Sequence, residues 1–206
     1  MDLSTALRAE RLVAIVHGGD AEASFRTVMA LTEEGIPLVE ISLSGRDALT
    51  VIRRARAALG DAAWIGAGTV LSAADARRAA EAGANLVVTP GLGAGLEESV
   101  RQGLPTLAGV LTPSAVIAAD ALGVSARQLF PASVGGPDYL EALRAAFPEL
   151  PFVPVGGVDA AVAGAYFAAG AVAVDVGPPL IGDAADGGDL DALRRRAAEF
   201  TAACAR

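Results

Sequence analysis

The sequence contains no lysine, and all 16 of its basic residues are arginine. This absence excludes chemistry that needs a neutral, nucleophilic side-chain amine, because a guanidinium stays protonated at any pH at which a protein folds. An alanine- and arginine-rich composition explains a surface without lysine equally well.

Aromatic residues, cysteine and basic charge are also scarce. Aromatics make up 4% of the chain and hydrophobic residues 53%, so the core must consist mainly of Ala, Val, Leu and Ile. The net charge of −8 argues against nucleic acids and anionic membrane surfaces as partners. Cys204 is the only cysteine, no run is long enough to cross a membrane, and the N-terminus lacks the pattern of a signal peptide. We therefore expect one cytoplasmic domain, residues 1–206.

A βα rhythm of about 25 residues is what the sequence does contain. The predicted strands are Leu12–Val16, Leu38–Leu43, Ala63–Gly68, Leu86–Thr89, Thr106–Gly109, Gln128–Phe130, Phe152–Val155 and Val172–Val176. The predicted helices include Ala21–Glu34, Arg46–Leu59, Ala73–Ala82, Pro137–Phe147 and Leu190–Ala203. Glycines expected to cap helices with positive φ are Gly35, Gly83, Gly103, Gly123 and Gly170. Eight such units favour an α/β fold with a single (β/α)8 TIM barrel, because the doubly wound alternative more often has a glycine-rich fingerprint after its first strand.

In a TIM barrel the active site lies at the carboxyl ends of the strands, and the second strand carries an acid there. Period-two alternation places Glu40 on the same face as Ser42 and Ser44. A carboxyl group inside a small apolar barrel is costly to ionise, so its pKa should rise into the range useful for proton transfer. The alternative is a structural acid paired with an arginine. Buried unpaired carboxylates are rare, which favours a function.

Three further strand ends carry polar or turn-forming residues. Glycines before Thr69 allow a ligand to approach the backbone closely, although they also suit a tight turn. Pro90 follows the fourth strand and by itself indicates only a turn. His17, the only histidine, ends the first strand, either as a residue of the barrel mouth or as a structural side chain.

The last two strand ends bear on anion binding. Gly156 and Gly157 precede a helix and form either an anion site of bare N–H groups or a plain turn capped by Asp159. Asp175 points either into the barrel, as a base or metal ligand, or outward as a helix cap. Pro178 and Pro179 argue against phosphate binding after the eighth strand, because proline has no N–H to donate.

Five short segments at strand ends form one pattern by their order and spacing: Val39-Glu40-Ile41-Ser42-Leu43, Gly66-Ala67-Gly68-Thr69-Val70, Thr89-Pro90-Gly91-Leu92, Phe130-Pro131-Ala132 and Pro154-Val155-Gly156-Gly157-Val158. Together they resemble the 2-keto-3-deoxy-6-phosphogluconate (KDPG) and 4-hydroxy-2-oxoglutarate aldolase family, from Leu12 to about Leu193. The resemblance implies a class I aldolase without a cofactor, usually a trimer, that forms pyruvate and an aldehyde from a 2-keto-3-deoxy acid.

The resemblance assigns roles to individual positions. Glu40 falls on the general acid/base, Thr69 on a residue that holds the substrate carboxylate, and Gly156 and Gly157 on the phosphate turn. Pro90 belongs to a matching turn at the mouth and is counted with the substrate-binding residues.

Departures from the family concentrate at the same mouth. The Schiff-base lysine, three residues before Pro131, is replaced by Gln128. A carboxylate-binding arginine is replaced by Ser44, with Arg46 two residues away as a substitute. The resemblance thus implies a family member that has lost the imine route.

Three functions remain open at this point. The first is a lyase or enolising enzyme for a small 2-oxo acid, in which Glu40 moves the proton and Gln128, Thr69 and Arg46 polarise the substrate; Asp175 and His17 also border the site. A divalent metal held by Glu40 and Asp175, with His17 as a further ligand, would be a less expected variant, since no ligand spacing indicates it. The second is a catalytically silent barrel that binds a carboxylated metabolite or a partner. The third is an ordinary aldolase that uses the N-terminal amine.

Overall fold

The structure is a computed structural model that describes residues 2–205. Its eight strands pair in parallel in the order β7-β6-β5-β4-β3-β2-β1-β8, and a bridge between Val155 and Asp175 closes the barrel. The strands are β1 (Leu12–Val16), β2 (Leu38–Ser42), β3 (Trp64–Gly68), β4 (Leu86–Thr89), β5 (Thr106–Val110), β6 (Ala126–Leu129), β7 (Phe152–Pro154) and β8 (Val174–Val176). The predicted (β/α)8 TIM barrel is confirmed.

Helices cover the outside of the barrel. They are α1 (Leu3–Glu10), α2 (Ala21–Glu33), α3 (Ala48–Leu59), α4 (Ala73–Glu81), α5 (Ala94–Arg101), α6 (Pro113–Ala121), α7 (Gly136–Ala146), α8 (Ala160–Ala168), α9 (Pro178–Ile181) and α10 (Leu190–Cys204). The five glycines predicted to follow helices all have φ between 72° and 91°, a conformation that glycine adopts without steric penalty. Within residues 2–205, no helix combines the length and apolar character needed to span a bilayer.

Some element boundaries differ from the prediction. The βα rhythm predicts neither α1 nor the short α9. Asp2 is the N-cap of α1. The third helix begins at Ala48 rather than at Arg46, because Asp47 has a φ of 51° that cannot continue a right-handed helix. The eighth strand begins at Val174 rather than at Val172.

Side chains fill the barrel interior in layers that the strand register determines. In a TIM barrel alternate strands contribute the four residues of one layer. The lowest layer consists of Leu38, Leu86, Ala126 and Ala173, and the second of Val13, Gly66, Leu107 and Val153. Leu3, Ala6 and Leu7 of α1 belong to the same buried apolar cluster as these layers. The amino-terminal half of the barrel is therefore a closed apolar core.

Candidate active site

The third layer of the barrel is mostly polar. It contains Glu40 of β2, Val88 of β4, Gln128 of β6 and Asp175 of β8, as the register of the parallel strands requires. Three of the sequence-predicted site residues therefore meet at one level, directly above the apolar core. All three are buried.

Glu40 extends from β2 over the adjacent strand β3. A Cβ atom at Gly68 would overlap the Glu40 carboxyl group, so a glycine at this position makes room for the acid. Glu40 is only 3% exposed, and its Oε2 has no hydrogen-bond partner among the described residues. The charged neighbour that acts on it is Asp175 rather than an arginine. The alternative of an arginine-paired structural acid is thus not what the structure shows.

Asp175 points into the barrel, one of the two directions that the sequence left open. Its Oδ2 accepts a hydrogen bond of 2.7 Å from Gln128 Nε2, and its side chain is 1% exposed. The second N–H of the Gln128 amide is not used in this bond. The Gln128 carboxamide therefore orients Asp175 and has a second N–H that can donate to a ligand.

The two carboxyl groups of this layer perturb each other. Burial raises the pKa of Glu40 well above its ordinary value, and the charge of Asp175 raises it further. Burial also raises the pKa of Asp175, against the opposing hydrogen bonds from Glu40 and Gln128. Asp175 Oδ1, like Glu40 Oε2, has no donor among the described residues. Two negative charges inside the barrel would repel each other, which favours a state in which the pair carries one proton.

A cavity of about 250 Å³ opens above Asp175, between the ends of β1, β7 and β8. The fourth layer, just above the polar one, contains Ile15, Gly68, Gly109 and Val155, and its two glycines contribute no side chain. The exposed His17 borders this cavity, as a mouth residue would. Asp175 is thus the acid that a molecule in the cavity meets first.

Three hydroxyl groups cluster at the mouth, at the ends of β2 and β3. Ser42 Oγ lies 2.7 Å from Ser44 Oγ and 3.4 Å from Thr69 Oγ1. Thr69 has a φ of 55°, a conformation uncommon for residues other than glycine. Hydroxyl groups at this position can donate hydrogen bonds to a carboxylate. The binding roles assigned to Ser44 and Thr69 stay predictions.

Arg46 and Pro90 lie outside the cavity. The Arg46 side chain is 75% exposed, and its Nε lies 3.8 Å from Asp47 Oδ2. Pro90 borders a separate hollow with Leu71 and Leu92. A substrate contact by either residue stays a prediction, and for Arg46 it requires the side chain to swing away from Asp47.

The turn between β7 and α8 borders the cavity and has both glycines in the left-handed region. Gly156 has a φ of 85° and Gly157 a φ of 81°. Asp159 caps α8, since its Oδ1 accepts from the backbone N–H groups of Ala161 and Val162 at 3.0 Å. The plain capped turn is therefore present, and an anion-binding role stays a prediction.

Sequence reasoning did not find the apolar part of the site. Phe130 and Val158 border the cavity, but an apolar residue at a strand end carries no signal that separates a ligand wall from the core. In the part of the chain described, no group of three or more His, Cys, Asp or Glu residues is placed to hold a metal ion, and the metal variant stays an untested prediction.

Comparisons with known sequences agree on one family. Residues 3–195 match the model of the family described as KDPG and KHG aldolase. A probable 2-dehydro-3-deoxy-6-phosphogalactonate aldolase from Rhizobium meliloti (strain 1021) is 36% identical over 194 residues, which cover 93% of this chain and 90% of that protein.

Solved structures agree as well. A 4-hydroxy-2-oxoglutarate/2-dehydro-3-deoxyphosphogluconate aldolase from TTHB1 is 35% identical with a TM-score of 0.84, and the match covers 100% of both chains. A cube-shaped protein cage designed by fusing symmetric oligomeric domains is 30% identical with a TM-score of 0.84, covering 94% of this chain and 71% of that one.

Proposed function

Because the chain belongs to the KDPG and KHG aldolase family, we propose that it acts on a small 2-oxo acid of the pyruvate type, as an enolising or carbon–carbon lyase that works without a lysine imine. The chain has no lysine, and the carboxamide of Gln128 has no nucleophilic lone pair with which to attack a ketone. The observation that supports the proposal is the buried pair Glu40 and Asp175, each with a raised pKa, in which Asp175 accepts a hydrogen bond from the Gln128 amide.

Proton transfer next to a carbonyl needs a base for the carbon and a donor for the oxygen. In our proposal the ionised carboxyl of the Glu40–Asp175 pair accepts a proton from C3 of the substrate. The protonated carboxyl of the pair gives its proton to the carbonyl oxygen, which the free N–H of Gln128 polarises. The products are an enol and a pair with its proton moved from one member to the other. Reversal in heavy water replaces hydrogen by deuterium at C3.

Carbon–carbon cleavage follows the same proton balance. A carboxylate of the pair accepts the proton of the 4-hydroxyl group, the C3–C4 bond breaks, and the electron pair of that bond forms the enol of pyruvate as the carbonyl oxygen takes a proton. The hydroxyl cluster of Ser42, Ser44 and Thr69 would hold the substrate carboxylate. Loss of an imine removes an electron sink, so we expect rates several powers of ten below those of a lysine-dependent enzyme, by analogy with other enzymes that lose a covalent nucleophile.

A silent barrel that binds a carboxylated metabolite or a partner is the second candidate. One observation favours it: Asp175 borders the cavity, whereas Glu40 and Gln128 do not. Catalysis by Glu40 therefore requires either transfer through Asp175 or a small opening of the layer on binding.

Proton exchange separates the two candidates. Pyruvate in heavy water, followed by proton NMR, should lose its methyl signal faster with the protein than in buffer. We expect Glu40→Gln to slow this exchange by at least about 100-fold, the usual effect of losing a general base. Glu149→Gln, which removes an exposed carboxyl group, is the matched control. No exchange by the unaltered protein would leave the silent barrel as the function.

A second experiment tests the position assigned to the lost lysine. Pyruvate with borohydride should add no mass to the unaltered protein, whereas Gln128→Lys should give a reduced adduct in low yield. Nearby carboxylates favour the ammonium form of a lysine at this site, so the yield should rise with pH. An adduct on the unaltered protein would point to the N-terminal amine and overturn the imine-free proposal.

We also propose that the protein assembles as a homotrimer and acts in the cytoplasm, without nucleic acid or membrane as a partner. The support is the similarity to a cage designed by fusing symmetric oligomeric domains. Light scattering coupled to gel filtration gives the mass directly. A monomer at micromolar concentration would contradict the assembly.

A further inference from the structure

We infer that the substrate carries an uncharged, apolar group at the end remote from its 2-oxo acid group, and that this group occupies the cavity between β1, β7 and β8. The inference rests on the proposed function and adds a substrate class to it. The 2-oxo acid end would lie toward the hydroxyl cluster on β2 and β3, so the remaining cavity is left for the rest of the molecule.

The walls of the cavity are apolar. Ile15, Phe130, Val155, Val158 and Ile181 line it together with the two prolines of α9. The only ionisable side chains among its described lining residues are His17 and Asp175. Such a surface gains from contact with hydrocarbon, and His17 is the one lining side chain among the described residues that can offer an anion a positive charge.

The nearest arginine of α10 is already engaged. Arg196 donates from Nε to the carbonyl of Leu180 and from Nη2 to the carbonyl of Ile181, both at 2.7 Å. Its guanidinium therefore ties α10 to α9 behind the cavity wall. Recruiting it for a ligand would leave two carbonyl groups without these donors.

The two helices that begin beside the cavity are poorly suited to an anion. At α8 the carboxylate of Asp159 already occupies the N-terminus and would repel a second negative group. At α9 the first two residues are Pro178 and Pro179, which lack the N–H groups that an anion needs. The N-termini of α8 and α9 therefore contribute little positive potential to the cavity.

Asp175, at the floor of the cavity, also disfavours a charged group. Asp175 is 1% exposed and borders the cavity, and its Oδ1 has no hydrogen-bond partner among the described residues. A charged group placed beside it would lose its hydration without gaining a cation. A cavity of 250 Å³ has room for about eight water-sized groups, enough for a short hydrocarbon chain or a small ring.

Direct binding tests the inference independently of turnover. We would measure by calorimetry the dissociation constants of pyruvate, 2-oxohexanoate and 2-oxoglutarate, of which the last two are similar in size. Each buried methylene strengthens binding by up to about fourfold, so 2-oxohexanoate should bind at least tenfold more tightly than 2-oxoglutarate and more tightly than pyruvate. Equal or tighter binding of 2-oxoglutarate would overturn the inference while leaving the proposed function intact. Failure of all three to bind would overturn the proposed function.

A substitution at the cavity wall tests the location. Pro179 is exposed on the wall, so Pro179→Arg adds a cation there and Pro179→Ala is the control for loss of the proline ring. We expect Pro179→Arg to strengthen 2-oxoglutarate binding at least fivefold relative to Pro179→Ala and to weaken 2-oxohexanoate binding. An unchanged ratio in a variant with wild-type circular dichroism would place the remote group outside this cavity.

Discussion

Replacing Asp175 by asparagine should stabilise the protein at neutral and alkaline pH. The substitution keeps the size of the side chain and an oxygen that accepts from Gln128 Nε2, a bond of 2.7 Å in the native chain. It removes a carboxyl group that is 1% exposed and has no cation beside it. The asparagine amide can in turn donate to Glu40. The variant thus loses a buried charge and little packing.

The magnitude follows from the difference in proton affinity between the folded and unfolded states. Burial raises the pKa of Asp175 from its ordinary 3.8 to about 7. Between these values the folded state binds more protons than the unfolded one, so the free energy of unfolding falls as pH rises. Each pKa unit corresponds to about 1.4 kcal/mol, which gives a loss of up to roughly 4 kcal/mol between pH 4 and pH 8. The apparent pKa belongs to the carboxyl pair, so Glu40 shares the effect.

Urea unfolding monitored by the fluorescence of Trp64 and by circular dichroism provides the assay. The unaltered protein should unfold at lower urea as the pH rises from 4.5 to 8. Asp175→Asn should show a flatter dependence and the higher midpoint at pH 8. Glu149→Gln removes an exposed carboxyl group and should follow the unaltered protein. A midpoint for the unaltered protein that is constant or rises over this range would refute the reasoning.

Two further predictions concern stability away from the cavity. Hydrogen bonds from the Arg101 and Gln102 side chains lower the pKa of Glu98 to about 2. Acid should therefore destabilise the native protein between pH 4.5 and pH 2, and it should destabilise Glu98→Gln less. At pH 7 the Glu98→Gln variant should have the lower melting temperature. Tyr166→Phe removes a buried hydrogen bond of 3.1 Å to the Ala132 carbonyl and should cost about 1 kcal/mol in urea unfolding. An unchanged midpoint would show that water replaces the hydroxyl group.

The repeat of strands and helices is readable from the sequence because it depends on local periodicity. Most strands are short apolar runs, and five helices are followed by a glycine with positive φ, a conformation that is open to glycine because it has no Cβ. The inward direction of Glu40 is also predictable from the local sequence, because Glu40 alternates with the apolar Ile41 along β2. These features need only a few neighbouring residues.

The meeting of Glu40, Gln128 and Asp175 is not readable in the same way. Their positions in one layer depend on the register of all eight strands, which places residues 47 apart in sequence, Gln128 and Asp175, in hydrogen-bond contact. The inward direction of Asp175 and the apolar character of the cavity depend likewise on which strands become neighbours on closure. The departure at Gln128, in contrast, follows from the family resemblance alone. The absence of a Schiff-base lysine at this position is therefore predictable without the structure.

Gly68 offers the sharpest test of this geometry, because it should act only through Glu40. In Gly68→Ala the added methyl would overlap the Glu40 carboxyl group, whereas in Gly66→Ala it would meet Leu86, in the apolar layers below. Both residues lie on the inner face of β3, so both variants should lose a similar 1–3 kcal/mol of stability from overpacking. Only Gly68→Ala should slow deuterium exchange into pyruvate, to the level of Glu40→Gln. Combining Gly68→Ala with Glu40→Gln should slow exchange no further than either substitution alone, because both remove the same group. Wild-type exchange in a folded Gly68→Ala variant would mean that the proton is moved by a group other than Glu40 in this position.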